Sequence, residues 1–194
     1  MKKLLFATNN LHKLTEIRQI LGDTYHIGSL SEAGFNGDIP ETQDTLEGNA
    51  LQKARYIYDL YQTDCFADDT GLEIDALEGA PGVYSARFAG DKVTYKQNRD
   101  KVLHLLAGHE NRSARFRTVV ALIFEDREYL FDGTVTGVIT NDERGEGGFG
   151  YDSIFLPDGF NDTFAQMPSE LKNSISHRGK AMEKLITFLK SIYG

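Results

Sequence analysis

An α/β fold with a mixed, twisted sheet is what this sequence predicts, and three observations predict it. Strand-like and helix-like segments alternate between Lys3 and Gly71. Two long β-rich runs follow one another in the middle of the chain, separated only by charged residues. The composition is that of an ordinary globular protein, with 194 residues, 40% hydrophobic, 26% charged and 11% aromatic, which excludes collagen-like, low-complexity and disordered chains. That length suits one domain over residues 1–194, built as two lobes with a cleft between them.

The elements follow in order. Residues 3–7 form a short apolar run that reads as a buried strand, and Thr8-Asn9-Asn10 breaks it as a polar bend. Leu11, Leu14, Ile17, Ile20 and Leu21 recur at helical spacing, with Gly22 as the stop. A second helix is expected over residues 45–61, where Leu46, Ala50, Ala54, Ile57 and Leu60/Tyr61 share one face. Residues 65–67 read as a short buried strand ending at Asp68-Asp69-Thr70-Gly71, and a loop rich in Gly and Pro leads to a helix over 95–106. Residues 116–124 and 129–139 are the β-rich runs, an antiparallel hairpin joined by Glu125-Asp126-Arg127-Glu128. A glycine-rich loop over 145–150 precedes a short strand, 154–156, before Pro157. The last helix starts near Ser176 and carries Met182, Leu185, Ile186, Leu189 and Ile192 on one face.

Lys+Arg 21 against Asp+Glu 29 gives a net charge of −8. An acidic field repels nucleic-acid backbones and anionic membranes, so neither is an expected partner. It opposes small anionic ligands too, so any such ligand needs a local cluster of cations or a metal. The single cysteine, Cys65, permits no internal disulfide and reads as a small core residue in a reducing compartment. The start, Met-Lys-Lys-Leu-Leu-Phe-Ala-Thr, is too short in apolar residues for a signal peptide, and no membrane-length apolar run occurs. A cytoplasmic location is expected.

Four segments carry chemistry. In Thr8-Asn9-Asn10-Leu11-His12-Lys13 a strand passes into a helix start, whose free N–H groups suit an anion. A lysine in the first turn opposes the helix dipole unless an anion sits beside it. The alternative is that Asn10 simply caps the helix. Asp68-Asp69-Thr70-Gly71 places two adjacent carboxylates at the end of a buried strand, where α/β sheets bind ligands and where Mg²⁺ finds oxygen donors. The bland reading is a solvated turn.

Gly145-Glu146-Gly147-Gly148-Phe149-Gly150 matches the dinucleotide pattern in form, yet strand-like residues follow it where a helix is required. What survives is a loop that can offer N–H groups and the Phe149 ring to a ligand. Finally, Lys172, Arg178 and Lys180 concentrate positive charge near the last helix start, and with Lys13, Lys53 and Arg87 they are the candidate cations.

Taken together, these segments resemble the inosine triphosphate pyrophosphatase family, the noncanonical purine NTP (dITP/XTP) pyrophosphatases. The likeness rests on residues 8–13, the long segment 68–88, Gly147-Gly-Phe-Gly-Tyr-Asp152 and Ser176-His-Arg-Gly179, and it extends over nearly the whole length. It implies an elongated α/β subunit with a central substrate cleft, a homodimer, and Mg²⁺-dependent cleavage of a nucleoside triphosphate to monophosphate and pyrophosphate. By the same resemblance, substrate contacts fall on Thr8, Asn9, Asn10, Leu11, His12, Lys13, Thr70, Phe149, Gly150, Tyr151, Asp152, Lys172, His177 and Arg178. Asp69 is the proton acceptor, with Glu41 and Asp69 at the metal.

The family often has a carboxylate directly before the Asn-Ala pair, whereas here Gly48 precedes Asn49 and Glu47 stands one place earlier. Expected chemistry is water attack at the α-phosphorus, deprotonated by Asp69, with Asp68 sharing the work and Lys13, Lys172 and Mg²⁺ offsetting charge. Donors from His177, Arg178 or backbone N–H groups would pair with the 6-oxo group of hypoxanthine or xanthine and leave adenine's amino group unmatched. Two rivals remain: a nucleotide sensor that binds without cleaving, and an enzyme of related chemistry acting on modified pyrimidine nucleotides or releasing orthophosphate.

Overall fold

The computed structural model describes residues 3–21 and 25–193; Gly22, expected to stop the first helix, and Met1 and Lys2 lie outside the described residues. In chain order the elements are β1 (Lys3–Phe6), α1 (Leu11–Leu21), β2 (His26–Gly28), α2 (Leu46–Tyr61), β3 (Cys65–Ile74), β4 (Pro81–Gly82) and α3 (Tyr95–Leu105). There follow β5 (Ser113–Phe124), β6 (Arg127–Ile139), β7 (Phe155–Pro157), α4 (Ser169–Ile175) and α5 (His177–Tyr193). The strands form one seven-stranded sheet in the order β2-β1-β3-β5-β6-β7, with β4 paired to β3. β1 pairs in parallel with β2 and β3, whereas β3–β4 and β6–β7 are antiparallel, so the sheet is mixed as expected.

Packing divides the chain into two units, Met1–Asp69 with Thr118–Gly133 and Arg178–Gly194, and Thr70–Arg117 with Thr134–His177. In the first, Phe6 and Phe66 are register partners on β1 and β3, and their rings stack with centroids 4.6 Å apart. Leu14, Ile17 and Leu21 of α1 and Met182, Leu185 and Leu189 of α5 pack on this pair with Val120, Leu122 and Phe124. α2 buries Ala50, Ala54 and Ile57 fully, and the Cys65 thiol donates to the Ala54 carbonyl at 3.3 Å. The small alanines allow that close approach of helix to strand.

In the second unit, Phe116 meets Phe155 edge-to-face at 4.7 Å between centroids and stacks on Phe164 and His177 at 6.1 and 4.6 Å. Leu72, Ile74, Val102, Leu106 and Tyr151 complete that core.

Several expectations change. β3 runs on to Ile74, so the paired aspartates lie within a strand and not in a turn. The hairpin turn is Glu125-Asp126 alone, both with positive φ (48° and 60°), the conformation that matches the strands' twist in two-residue hairpins. The last helix, α5, does start next to Ser176 as expected, but an unexpected short helix, α4, precedes it and ends at Ser176, whose backbone is extended (φ −70°, ψ 160°). Leu11, Leu60 and Ile192, placed on buried faces by periodicity, are 72%, 54% and 40% exposed because they lie at or beside helix ends. The short β2 and β4, and α4 without an apolar stripe, gave no periodic signal.

Candidate functional site

Alternation of side chains along β3 decides what the paired aspartates touch. Asp68 shares the face of Phe66, which is covered by α1 and α5. There it accepts from Lys13 Nζ at 2.9 Å and from Arg178 Nε at 3.2 Å. Asp69 shares the face of Cys65 and Ala67, covered by α2, and its Oδ1 lies 3.3 Å from Lys53 Nζ while Asn49 Nδ2 donates to its Oδ2 at 3.1 Å. Both are buried, at 2% and 7% exposure. Burial by itself raises the Asp68 carboxyl, but the charges of Lys13, Arg178 and Lys53 override it and hold Asp68 well below the ordinary carboxylate range. For Asp69 burial prevails and its carboxyl is raised, against the opposing pull of Lys53 and Lys13.

The parallel ladder explains the position. β1 ends at Phe6 opposite Phe66, and only the Ala7 N–H continues toward the Phe66 carbonyl, at 2.8 Å. Beyond that point β1 turns into α1, so the carboxylates stand where the parallel pairing has stopped. Asn10 Oδ1 accepts from the N–H groups of His12 and Lys13 at 3.0 and 3.3 Å, and Thr8 Oγ1 accepts from the Asn10 N–H at 3.1 Å. The cap reading of Asn10 therefore holds. The anion demanded by a lysine in the first helical turn is Asp68, so helix-dipole reasoning does not by itself require a ligand there. Asn9 donates to the Gly37 carbonyl at 3.0 Å, Leu11 and His12 are exposed, and Thr8 is half-buried.

Arg178 is buried, with an ion pair to Glu16 as well as to Asp68. Burial would lower its pKa, and the two carboxylates raise it instead. The expected cluster of Lys172, Arg178 and Lys180 is thus dispersed: Arg178 joins the Asp68 network, Lys172 pairs elsewhere, and Lys180 is exposed.

On α2, Thr45 caps the helix through the Gly48 N–H, and Asn49 and Lys53 stand four residues apart in the buried stripe. Lys53 Nζ meets Glu41 Oε1 at 2.5 Å and Asp69 Oδ1 at 3.3 Å. Its side chain is 6% exposed; burial lowers its pKa but Asp69 and Glu41 outweigh that and raise it. Asn49 is not among the expected site residues, although a polar pair at i, i+4 inside an apolar stripe is its signal. At position 48, in the first turn of α2, a Cβ would stand 2.7 Å from Gln43 Cβ, so a carboxylate there would require the preceding segment to shift.

Glu41 and Asp69 turn hard oxygens toward a single cationic point, now the Lys53 ammonium. Mg²⁺ binds through one or two carboxylates, with phosphate and water oxygens completing its shell. Among the described residues no group of three or more His, Cys, Asp or Glu side chains is placed to hold a metal. The donor set fits an ion that shares its coordination with a substrate, not one caged by protein alone.

In the second unit, Lys172 Nζ and Asp152 Oδ2 form a buried ion pair at 2.7 Å, and Asp152 Oδ2 also accepts the Phe149 N–H at 2.8 Å. Lys172 Nζ lies 5.2 Å from the Phe149 ring centroid. At Gly148 (φ +68°) a Cβ would come within 2.1 Å of the Asp152 carboxylate, so only glycine closes this turn. Tyr151 is buried, its hydroxyl donating to the Ser85 carbonyl at 2.6 Å, and Gly150 is half-buried. His177 is buried against Phe116. Thr70 is half-buried in β3. A 3₁₀ turn, Asp152–Ile154, and β7 follow the glycine loop, which removes the dinucleotide reading.

This mixed α/β fold, with its buried carboxylate pair, belongs to a known class. The profile of the Ham1 family matches residues 4–188, and the chain belongs to that family, which bears out the resemblance read from the motifs. It is 51% identical over 187 residues to a Flavobacterium johnsoniae protein named dITP/XTP pyrophosphatase, covering 96% of this chain and 97% of that one. A Porphyromonas gingivalis protein of the same name is 51% identical over 190 residues, with 97% and 98% covered. The solved HAM1 protein of Coxiella burnetii superposes with a TM-score of 0.89 at 38% identity, over 98% of this chain and 100% of that one. The Staphylococcus aureus Ham1 protein gives 0.88 at 37%, over 97% and 98%.

Proposed function

We propose that the chain hydrolyses the noncanonical purine nucleoside triphosphates ITP, dITP and XTP to the monophosphate and pyrophosphate, removing them from the nucleotide pool. The observation that carries this reading is Asp69, a buried carboxylate oriented by Asn49 and facing Lys53, in a chain whose relatives are named dITP/XTP pyrophosphatases. Burial raises the Asp69 carboxyl, a direction that favours proton acceptance from water.

Asp69 has two oxygens with different neighbours. Oδ2, held by Asn49, takes the proton of the water that attacks the α-phosphorus, and pyrophosphate leaves intact. Oδ1, on the side of Lys53 and Glu41, would hold the metal together with Glu41. Lys13, Lys53 and Arg178 face the carboxylates Glu16, Glu41, Asp68 and Asp69, so the cluster holds no surplus positive charge for a triphosphate. Mg²⁺, when bound by Glu41 and Asp69, supplies that charge and polarises the phosphoryl oxygens. Lys13 holds the tail in place, and Arg178 keeps Asp68 ionised beside it. Thr8 to His12, beyond the end of β1, and Thr70, within β3, contact substrate in this reading.

The base falls to Phe149, Gly150, Tyr151, Asp152, Lys172 and His177, with Phe149 stacking on it. Donors there match a 6-oxo group and leave adenine's amino group unpaired. The same reading has the chain work in the cytoplasm as a homodimer; no helix among the described residues is long and apolar enough to cross a membrane. Pyrophosphate release over ITP, dITP, XTP, GTP and ATP, with and without Mg²⁺, tests the proposal. Pyrophosphate from the first three, faster than from ATP, is expected. Orthophosphate as product, or faster ATP turnover, overturns it.

A further inference from the structure

The glycine loop raises a physical question: Gly145, Gly148 and Gly150 all have positive φ, residues 141–148 are exposed, and glycines bring no side chains to hold a conformation. Something outside the loop must define it. Part of the answer is internal, because the Gly147 N–H reaches the Ala165 carbonyl at 3.0 Å and Asp152 accepts from Phe149. The rest comes from α3. Arg99 Nη1 donates to the Gly150 carbonyl at 2.8 Å, and Nη2 meets Glu143 Oε2 at 3.0 Å. One guanidinium therefore ties the residue that closes the loop to a residue just before it begins. Glu143 is fixed in turn by Ser153 Oγ, at 3.1 Å. One helical turn earlier on the same face, the Tyr95 ring lies 6.0 Å from that of Phe149.

The Arg99 Nε–H is buried without an acceptor among the described residues, a cost in stability. Arg99 therefore makes its contacts through its two terminal nitrogens. Its planar fork reaches two acceptors at once, which a lysine ammonium on a single flexible stem cannot reproduce.

We propose that Arg99 and Tyr95 are positioning residues: they set the glycine loop, and with it the Phe149 ring, so that α3 governs how tightly and how selectively the base is held. This rests on the reading that Phe149 recognises the base. Arg99 touches no reacting atom, so its loss should appear in KM and in base discrimination more than in kcat.

The test measures ITP, XTP and GTP kinetics for Arg99→Gln, Arg99→Lys, Tyr95→Leu and Phe149→Ala, with hydrogen exchange of residues 143–151 in the substrate-free protein. Expected for Arg99→Gln are faster exchange in that segment, a KM for ITP raised on the order of 10-fold with a smaller change in kcat, and a narrowed ITP-to-GTP ratio. Arg99→Lys should recover less than half of the lost affinity, and Tyr95→Leu should shift KM in the same direction. Unchanged exchange or unchanged KM in Arg99→Gln overturns the inference while Phe149→Ala still raises KM. If Phe149→Ala itself leaves KM and discrimination intact, the reading of the base site falls instead. Should Arg99→Gln fail to fold, Arg99→Lys and Tyr95→Leu decide by the same two readouts.

Discussion

Asp68 and Asp69 are neighbours in β3, yet they belong to opposite faces: Asp68 is locked between Lys13 and Arg178, and Asp69 faces Lys53 and Asn49 from α2. The pleat of the strand separates two roles that adjacent carboxylates in a turn could not keep apart. The Asp68 carboxyl is held well below the ordinary range by its cations, and burial raises that of Asp69.

Replacing Asp69 by Asn keeps the shape and removes the proton acceptor. The variant should lose about 10²–10⁴-fold in kcat with little change in thermal midpoint. Steady-state pyrophosphate release beside a melting curve checks it, and near-wild-type turnover would refute the role.

Removing Arg178 takes away the buried cation that Asp68 and Glu16 share, leaving Lys13 on Asp68. Arg178→Met should cost about 3–5 kcal/mol of stability, read as a lowered urea midpoint at neutral pH.

Acid should weaken the fold through Asp68. Its carboxyl titrates near 3.8 when unfolded and lower when folded, so its contribution is complete above pH 3.8 and disappears as pH falls through the lower folded value. Urea midpoints measured from pH 5 down to pH 2 should drop, and Asp68→Asn should flatten that part of the curve.

Glu41 is expected to act on metal affinity. Glu41→Gln should raise the Mg²⁺ concentration for half-maximal activity about 10-fold or more, with activity recovering at high Mg²⁺. Chelation of the wild type should abolish turnover reversibly. An unshifted Mg²⁺ titration would remove Glu41 from the site.

Cys65 is buried beneath α2, and desolvation pushes its thiol up to about 12. Thiol reagents at pH 8 should leave the native protein unmodified and label it in urea, since the thiolate is the reactive form. Rapid labelling of the folded chain would contradict this packing.

Much of the fold was legible because its signals are local. The 3.6-residue spacing of Leu14, Ile17 and Leu21, the Ala50–Ala54–Ile57 stripe and the apolar run into Phe124 each announce an element. The end of β3 was not legible, because Asp68 and Asp69 are poor strand formers that tertiary ion pairs hold in place. Likewise, the start of α5 next to Ser176 was legible, whereas the seven-residue α4 before it was not.

What the sequence alone determined is the inventory: an acidic α/β chain with two adjacent carboxylates, a short supply of cations and a glycine loop, in the order its family shares. Only the tertiary structure decided which charges meet. It gave Lys13 and Arg178 to Asp68, Lys53 to both Glu41 and Asp69, and Arg99 to the two ends of the glycine loop. Those partners come from helices far apart in sequence. Periodicity shows which way a residue faces on its own element, but not which side chain another element will bring against it.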